Sequence, residues 1–255
     1  MIIKLRKHPI VFSLAATFVI LLVMVFASAV VPDDMFALSV MSDMVITFFI
    51  ILLLGLVIGR NGFKFVFNVK GFRRGLFALL PAYAFILLQL LGLIITAEIT
   101  PLLISELPLR AAVALVGGIF QTVLFRGLLI TAIMMSLSVT PQGRVKAVIV
   151  SSALFLIIYI IIMLLDGEGF ESIVMRSITT FGMSIIFCAA YLYSKNLLSL
   201  SVVMAVLLLV QNMLLDLVAG MSAQEPQGIS FLFFHVLLIP MLMFSIWISK
   251  KAEPF

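Results

Sequence analysis

The sequence predicts an all-α fold, a polytopic membrane helical bundle of about eight transmembrane helices forming a single transmembrane domain over residues 1–255. Three observations predict it. Hydrophobic residues make up 64% of the chain and charged residues only 11%, where an average soluble domain carries about 25% charged residues. Apolar stretches long enough to cross a bilayer, about 18 residues or more, recur along the whole length. The alternating ten-residue strands of a barrel are absent, and in lipid a helix is the remaining way for a backbone to satisfy its own polar groups.

Spans are expected at about 9–31, 43–59, 76–97, 109–134, 146–165, 177–194, 197–217 and 229–249. The first has the basic flank and apolar run of a signal peptide, but from Pro9 to Val31 it is long enough to span, so it reads as an uncleaved helix. The charges between spans then sort by side. With a cytoplasmic N-terminus, 13 of the 16 basic residues fall on the inner side and 10 of the 11 acids on the outer side, where Arg110 and Arg176 are the opposing bases. Lysine and arginine set orientation, so both termini are expected inside. The net charge of +5 therefore describes topology, and nucleic acid is not an expected partner because no binding module gathers the bases.

One basic loop stands out. Residues 60–75 interleave Phe63, Phe65, Phe67 and Phe72 with Arg60, Lys64, Lys70, Arg73 and Arg74. It reads either as a cytoplasmic surface segment with its rings in the interface and its cations at anionic lipid headgroups, or as an ordinary positive-inside loop. Small residues such as Gly117, Gly118, Gly127 and Gly182 are expected to permit close helix approach.

Once the loops are assigned, Arg126 is the one cation left in the hydrocarbon. Around it the intramembrane polar set is sparse: Gln89, Gln121, Thr122, Tyr159, Gln211, Asn212 and His235 with scattered Ser and Thr. Counting from the inner helix ends at a rise of 1.5 Å per residue, Gln121, Tyr159 and Asn212 all fall roughly 20 Å deep, with Arg126 about 12 Å deep. At that depth Arg126 can also snorkel toward the headgroups. Gln89 and Gln211 read as interhelical hydrogen-bond partners, and His235 as a packing residue, since one histidine cannot hold zinc without further ligands. The lone Cys188 can form neither an internal disulfide nor a thiol metal cluster. No cofactor and no metal are expected.

The segments "LFRGLL" at 124–129, "SSALFLIIY" at 151–159 and "AAYLYSKNLLSLSVVMAVLLLVQN" at 189–212 together resemble the CPBP family of CAAX-prenyl-endopeptidase-like and bacteriocin-processing (Abi) membrane proteins. The resemblance covers about residues 110–215. It implies an intramembrane peptidase site built from three motifs: a Glu-Glu pair with an arginine four residues on, a phenylalanine with a histidine four residues on, and a histidine with an asparagine four residues on. Carried over, the glutamates fall on Gln121 and Thr122, with Arg126 matching. Phe155 is kept, but its histidine falls on Tyr159. Asn212 is kept, but its histidine falls on Leu208.

None of these replacements activates water near neutral pH, since amide, hydroxyl and leucine do not titrate usefully and a phenol has a reference pKa of about 10. Asp216, one turn beyond Asn212, lacks partners for the task. The expected protein is thus a catalytically degenerate relative in a bacterial cell membrane. It is expected to act by binding membrane lipids and an integral membrane partner, such as the sensor histidine kinases or cell-wall enzymes that such relatives in Gram-positive bacteria accompany. Arg126 would then be a structural cation held by neutral acceptors, Gln121 or neighbouring carbonyls. An active intramembrane protease and a transporter are the alternatives.

Overall fold

A computed structural model describes residues 69–96, 101–137, 140–165, 167–220 and 229–252, with isolated positions between 10 and 19 and between 45 and 52. Every regular element among them is helical: α1 (Phe72–Ala78), α2 (Leu80–Thr96), α3 (Pro101–Gln121), a π-helical segment (Thr122–Leu129), α4 (Ile130–Ser136), α5 (Pro141–Leu165), α6 (Phe170–Ser194), α7 (Leu197–Gly220) and α8 (Ile229–Lys251). Most of the first two expected spans, and Arg60 and Lys64 of the basic loop, lie outside the described residues. Three described helices are long and apolar enough to cross a membrane, or four if α1 and α2 form one broken span. These are Leu107–Met135, Pro141–Leu165 and Phe170–Ser194.

Local chemistry explains where the helices begin and end. Thr140 caps α5 by accepting a hydrogen bond from the Gly143 N–H at 3.1 Å, and Pro141 occupies the first helical position, where its missing N–H costs nothing. Asn196 caps α7 in the same way, its Oδ1 accepting from the Ser199 N–H at 2.8 Å. Between α6 and α7 the chain reverses through Lys195 in the left-handed region (φ 51°). The break between α1 and α2, a bend of 60°, falls at Leu79 just before Pro81. A proline ring clashes with the carbonyl four residues back and withholds a helix hydrogen bond.

The α6–α7 turn is fastened to the start of α1. The Asn196 side-chain amide donates to the Lys70 carbonyl at 3.3 Å. Gly71 sits at φ +86°, where a Cβ would lie 2.6 Å from the Ser194 carbonyl oxygen, so only glycine fits. Arg144, at the start of α5, donates through Nη2 to the Lys250 carbonyl at 3.0 Å, tying in the C-terminus of α8. One end of the bundle thereby collects Lys70, Arg73, Arg74, Arg144, Lys146, Lys195, Lys250 and Lys251, and no Asp or Glu among its described residues. At the α5–α6 turn opposite stand Glu168, Glu171 and Arg176.

The run from α3 through the π segment is the central strut: 72% of its apolar window is buried, against 28% for α5. Its closest neighbour is α7. A Cβ on Gly118 would meet the Ala205 nitrogen at 2.7 Å and the Ser201 carbonyl oxygen at 2.9 Å, so the two backbones touch. Gly117 and Gly182 face the side chains of Leu208 and Leu238. Thr131 and Tyr191 share a buried hydroxyl–hydroxyl bond of 3.1 Å between α4 and α6.

Gly118→Val is expected to destabilise the fold by about 2–3 kcal/mol, because backbone cannot retreat as a side chain can. Gly169→Ala, with nothing within 4 Å of the added carbon, should change stability by no more than about 0.5 kcal/mol. Unfolding of the two variants in detergent, side by side, checks this. A second prediction concerns the α5–α6 turn. Desolvation alone would raise the Glu168 carboxyl, but hydrogen bonds from Ser172 and Arg176 and the charge of Arg176 outweigh it and hold the group below its ordinary value. With a depressed folded pKa, its contribution is complete above the ordinary glutamate range and is lost as pH falls through the folded value. The Arg176 side chain is 38% exposed, so the effect is under about 1 kcal/mol. Glu168→Gln should flatten the acid limb of the pH–stability curve by that amount.

Candidate functional site

Arg126 is 1% exposed and is the largest side chain sealed in the core among the described residues. It does not snorkel. Its position inside the π segment explains what meets it. A π turn repeats at i→i+5, which brings residue 126 nearly over residue 121, and Arg126 Nη1 donates to the Gln121 carbonyl at 3.2 Å. The acceptor is the backbone of Gln121 rather than its side-chain amide. The rest of the guanidinium lies among rings, 4.9 Å from the Phe155 centroid, 5.5 Å from Phe187 and 5.9 Å from Phe125. Phe125 and Phe155 meet edge to face at 4.5 Å, and Tyr159 stacks on Phe155 at 6.2 Å. Ring faces carry negative potential, so three of them around one delocalised cation replace part of its lost hydration.

The site is not fully satisfied. Arg126 Nε, Thr122 Oγ1 and Ser152 Oγ are buried without a protein partner. Thr122 and Ser152 are both wholly buried, on the π segment and on α5. Cys188 Sγ makes only long contacts, 3.7 Å to the Ser151 hydroxyl and 4.0 Å to that of Ser184. Among the described residues no three His, Cys, Asp or Glu side chains converge as metal ligands.

The positions picked out in the sequence distribute as follows. Gln121, Arg126, Phe155 and Tyr159 form one connected group. Thr122 is buried next in chain to Gln121. Leu208 packs on Gly117, one turn before Gln121 on α3. Asn212 lies one turn beyond Leu208 on α7, half-buried, as is Gln211. Gln89 has a buried Oε1 without a partner, so its carbonyl makes none of the expected interhelical hydrogen bonds among the described residues. The side chains of Asp216 and His235 lie outside the described residues. Lys70, Arg73 and Arg74 are exposed at the start of α1.

Sequence reasoning missed Phe187 and the π geometry. Phe187 sits on α6 within an apolar run that carries no spacing signal, and α6 reaches Arg126 only through packing.

Residues 103–210 match a family model described as "Rce1-like: Type II CAAX prenyl endopeptidase Rce1-like". The match begins in α3 and ends in α7, two residues short of Asn212. No curated protein and no solved structure matches the chain.

Arg126→Lys is expected to lower stability by about 1–3 kcal/mol, since a compact, strongly hydrated ammonium cannot share three ring faces. In a double-mutant cycle the same change should cost less in a Phe155→Leu background. Additive losses would mean that the ring contact contributes nothing.

Proposed function

We propose that this chain, whose residues 103–210 match the CAAX-prenyl-endopeptidase-like family model, is a non-catalytic member of the CPBP family that works by binding within the membrane. The observation that carries this reading is chemical. The positions that the family resemblance assigns to acid–base groups hold Gln121, Thr122, Tyr159 and Leu208, while the accompanying Arg126, Phe155 and Asn212 persist. The surroundings of Arg126 support it. Among the described residues the guanidinium faces a carbonyl and three rings, with no carboxylate beside it. What such a centre does is hold the π segment, α5 and α6 in one arrangement.

On this reading the protein is a multi-pass component of a bacterial cell membrane, with eight spans and both termini inside. Its helix faces regulate or scaffold an integral membrane partner, a sensor histidine kinase or a peptidoglycan enzyme. The competing reading, an active intramembrane protease, is favoured by the endopeptidase description of the matched family.

Purified full-length chain in lipid nanodiscs, offered a prenylated C-terminal peptide, is expected to give no cleavage above a protein-free control. In native membranes, photo-crosslinkers on the helix faces are expected to trap a kinase or wall enzyme. Turnover that disappears in both Gln121→Ala and Asn212→Ala would replace the binding reading with the protease.

A further inference from the structure

Gly118 and Thr131 stand on one continuous helical run, and each makes a contact that fixes which way its face of the run points. Gly118 is pressed against α7, where a Cβ would meet the Ala205 nitrogen at 2.7 Å and the Ser201 carbonyl oxygen at 2.9 Å. The Thr131 hydroxyl lies 3.1 Å from that of Tyr191 on α6, with both residues buried. An α-helix turns by about 100° per residue, so these two contacts set how far the run between them must turn. That run is not α-helical throughout. Thr122–Leu129 is π-helical, and at its end the Ile130 N–H donates to the Phe125 carbonyl, five residues back. A turn closed by i→i+5 bonds holds one residue more than a turn closed by i→i+4 bonds. The π segment therefore takes up about one residue more than a straight helix between the same two contacts would hold.

We propose that residues 122–129 form a conformational device with two registers, π and α, and that Arg126 selects the π register. Its Nη1 donates to the Gln121 carbonyl at 3.2 Å, from five residues further on, and so closes the first π turn from the side. In an α register Arg126 would stand about 140° around the helix from Gln121, off the line to that carbonyl. The guanidinium also lies against Phe155 of α5 and Phe187 of α6, so the locked turn is tied to two other helices. With the lock released and the number of residues unchanged, an α register turns α4 by about 100° relative to α3. Thr131 then leaves Tyr191, and Met135, 51% exposed on α4, changes the face it presents. The device follows from helix geometry and stands whether the chain binds a partner or cleaves a peptide.

The chain has four tyrosines, so full-length protein labelled with fluorotyrosine in lipid nanodiscs gives a fluorine NMR spectrum simple enough to assign. Tyr191→Phe identifies the Tyr191 signal, and Thr131→Val shows where that signal falls once the hydroxyl contact is lost. Arg126→Met is expected to move the Tyr191 signal to that position, or to divide it between the two. Deletion of Gly127 in the same variant removes the surplus residue without removing a side chain, and is expected to bring the signal back. Deletion of Gly127 from the otherwise unchanged chain should leave it in place. A Tyr191 signal that does not move in Arg126→Met overturns the lock. A shift that the Gly127 deletion fails to reverse overturns the two registers and makes Arg126 an ordinary packing residue. If Arg126→Met fails to fold, the Gly127 deletion alone decides. A folded protein with an unmoved Tyr191 signal upholds the proposal, and loss of the fold or of the signal position overturns it.

Discussion

A guanidinium buried deep inside an apolar bundle, with no carboxylate among the described residues to answer it, is the constraint on which the rest of the structure depends. The described acids Glu168 and Glu171 stand far along the chain, in and just after the α5–α6 turn, so Arg126 is compensated by other means. Its charge is met by one carbonyl from its own π turn and by rings from the π segment, α5 and α6. Each ring contact contributes about 0.5–2 kcal/mol when desolvated, so the set holds only if all three elements keep their places. The cation thus fixes an arrangement that hydrophobic packing by itself would leave open, since lipid tails are as apolar as a leucine face.

The same economy of polar contacts governs the basic end of the bundle. Asn196 serves twice there, capping α7 through its oxygen and holding the Lys70 carbonyl through its nitrogen. Gly71 permits that approach and Arg144 brings in α8. Side-chain to backbone bonds therefore tie the start of α7 to the chain entering α1, and the start of α5 to the end of α8. The close α3–α7 contact at Gly118 fixes the middle of the bundle by contact of backbones rather than by side-chain interlock. Positioning is thus done by a few short-range contacts, and the long apolar surfaces remain for lipid.

The family relationship and the chemistry of the site carry different information. The family model that matches residues 103–210 is described as an endopeptidase. At the positions to which the resemblance assigns acid–base groups stand Gln121, Thr122, Tyr159 and Leu208. Arg126 and Phe155 meet across the π segment and α5, a contact that holds helices together under either reading of the function.

The sequence by itself determined the membrane class, most helix limits and the oddity of Arg126, because hydropathy and charge are local properties that no packing changes. Helices run over 170–194 and 197–220 where hydropathy placed spans at 177–194 and 197–217, and the extra first turns of α6 carry Glu171, Ser172 and Arg176, which a hydropathy reading trims. Gly118 was legible as a close-approach residue because a missing side chain has one obvious structural use. What only the tertiary structure decided is how the buried cation is held. Snorkelling and burial were both compatible with a position about 12 Å deep, and the choice turned on Phe187, some sixty residues away in the chain, and on a π turn that aims a carbonyl at the guanidinium. The pairing of Thr131 with Tyr191 was likewise invisible, since nothing in either stretch names the other. Contacts between distant segments form only when the whole bundle closes, and no local pattern records them.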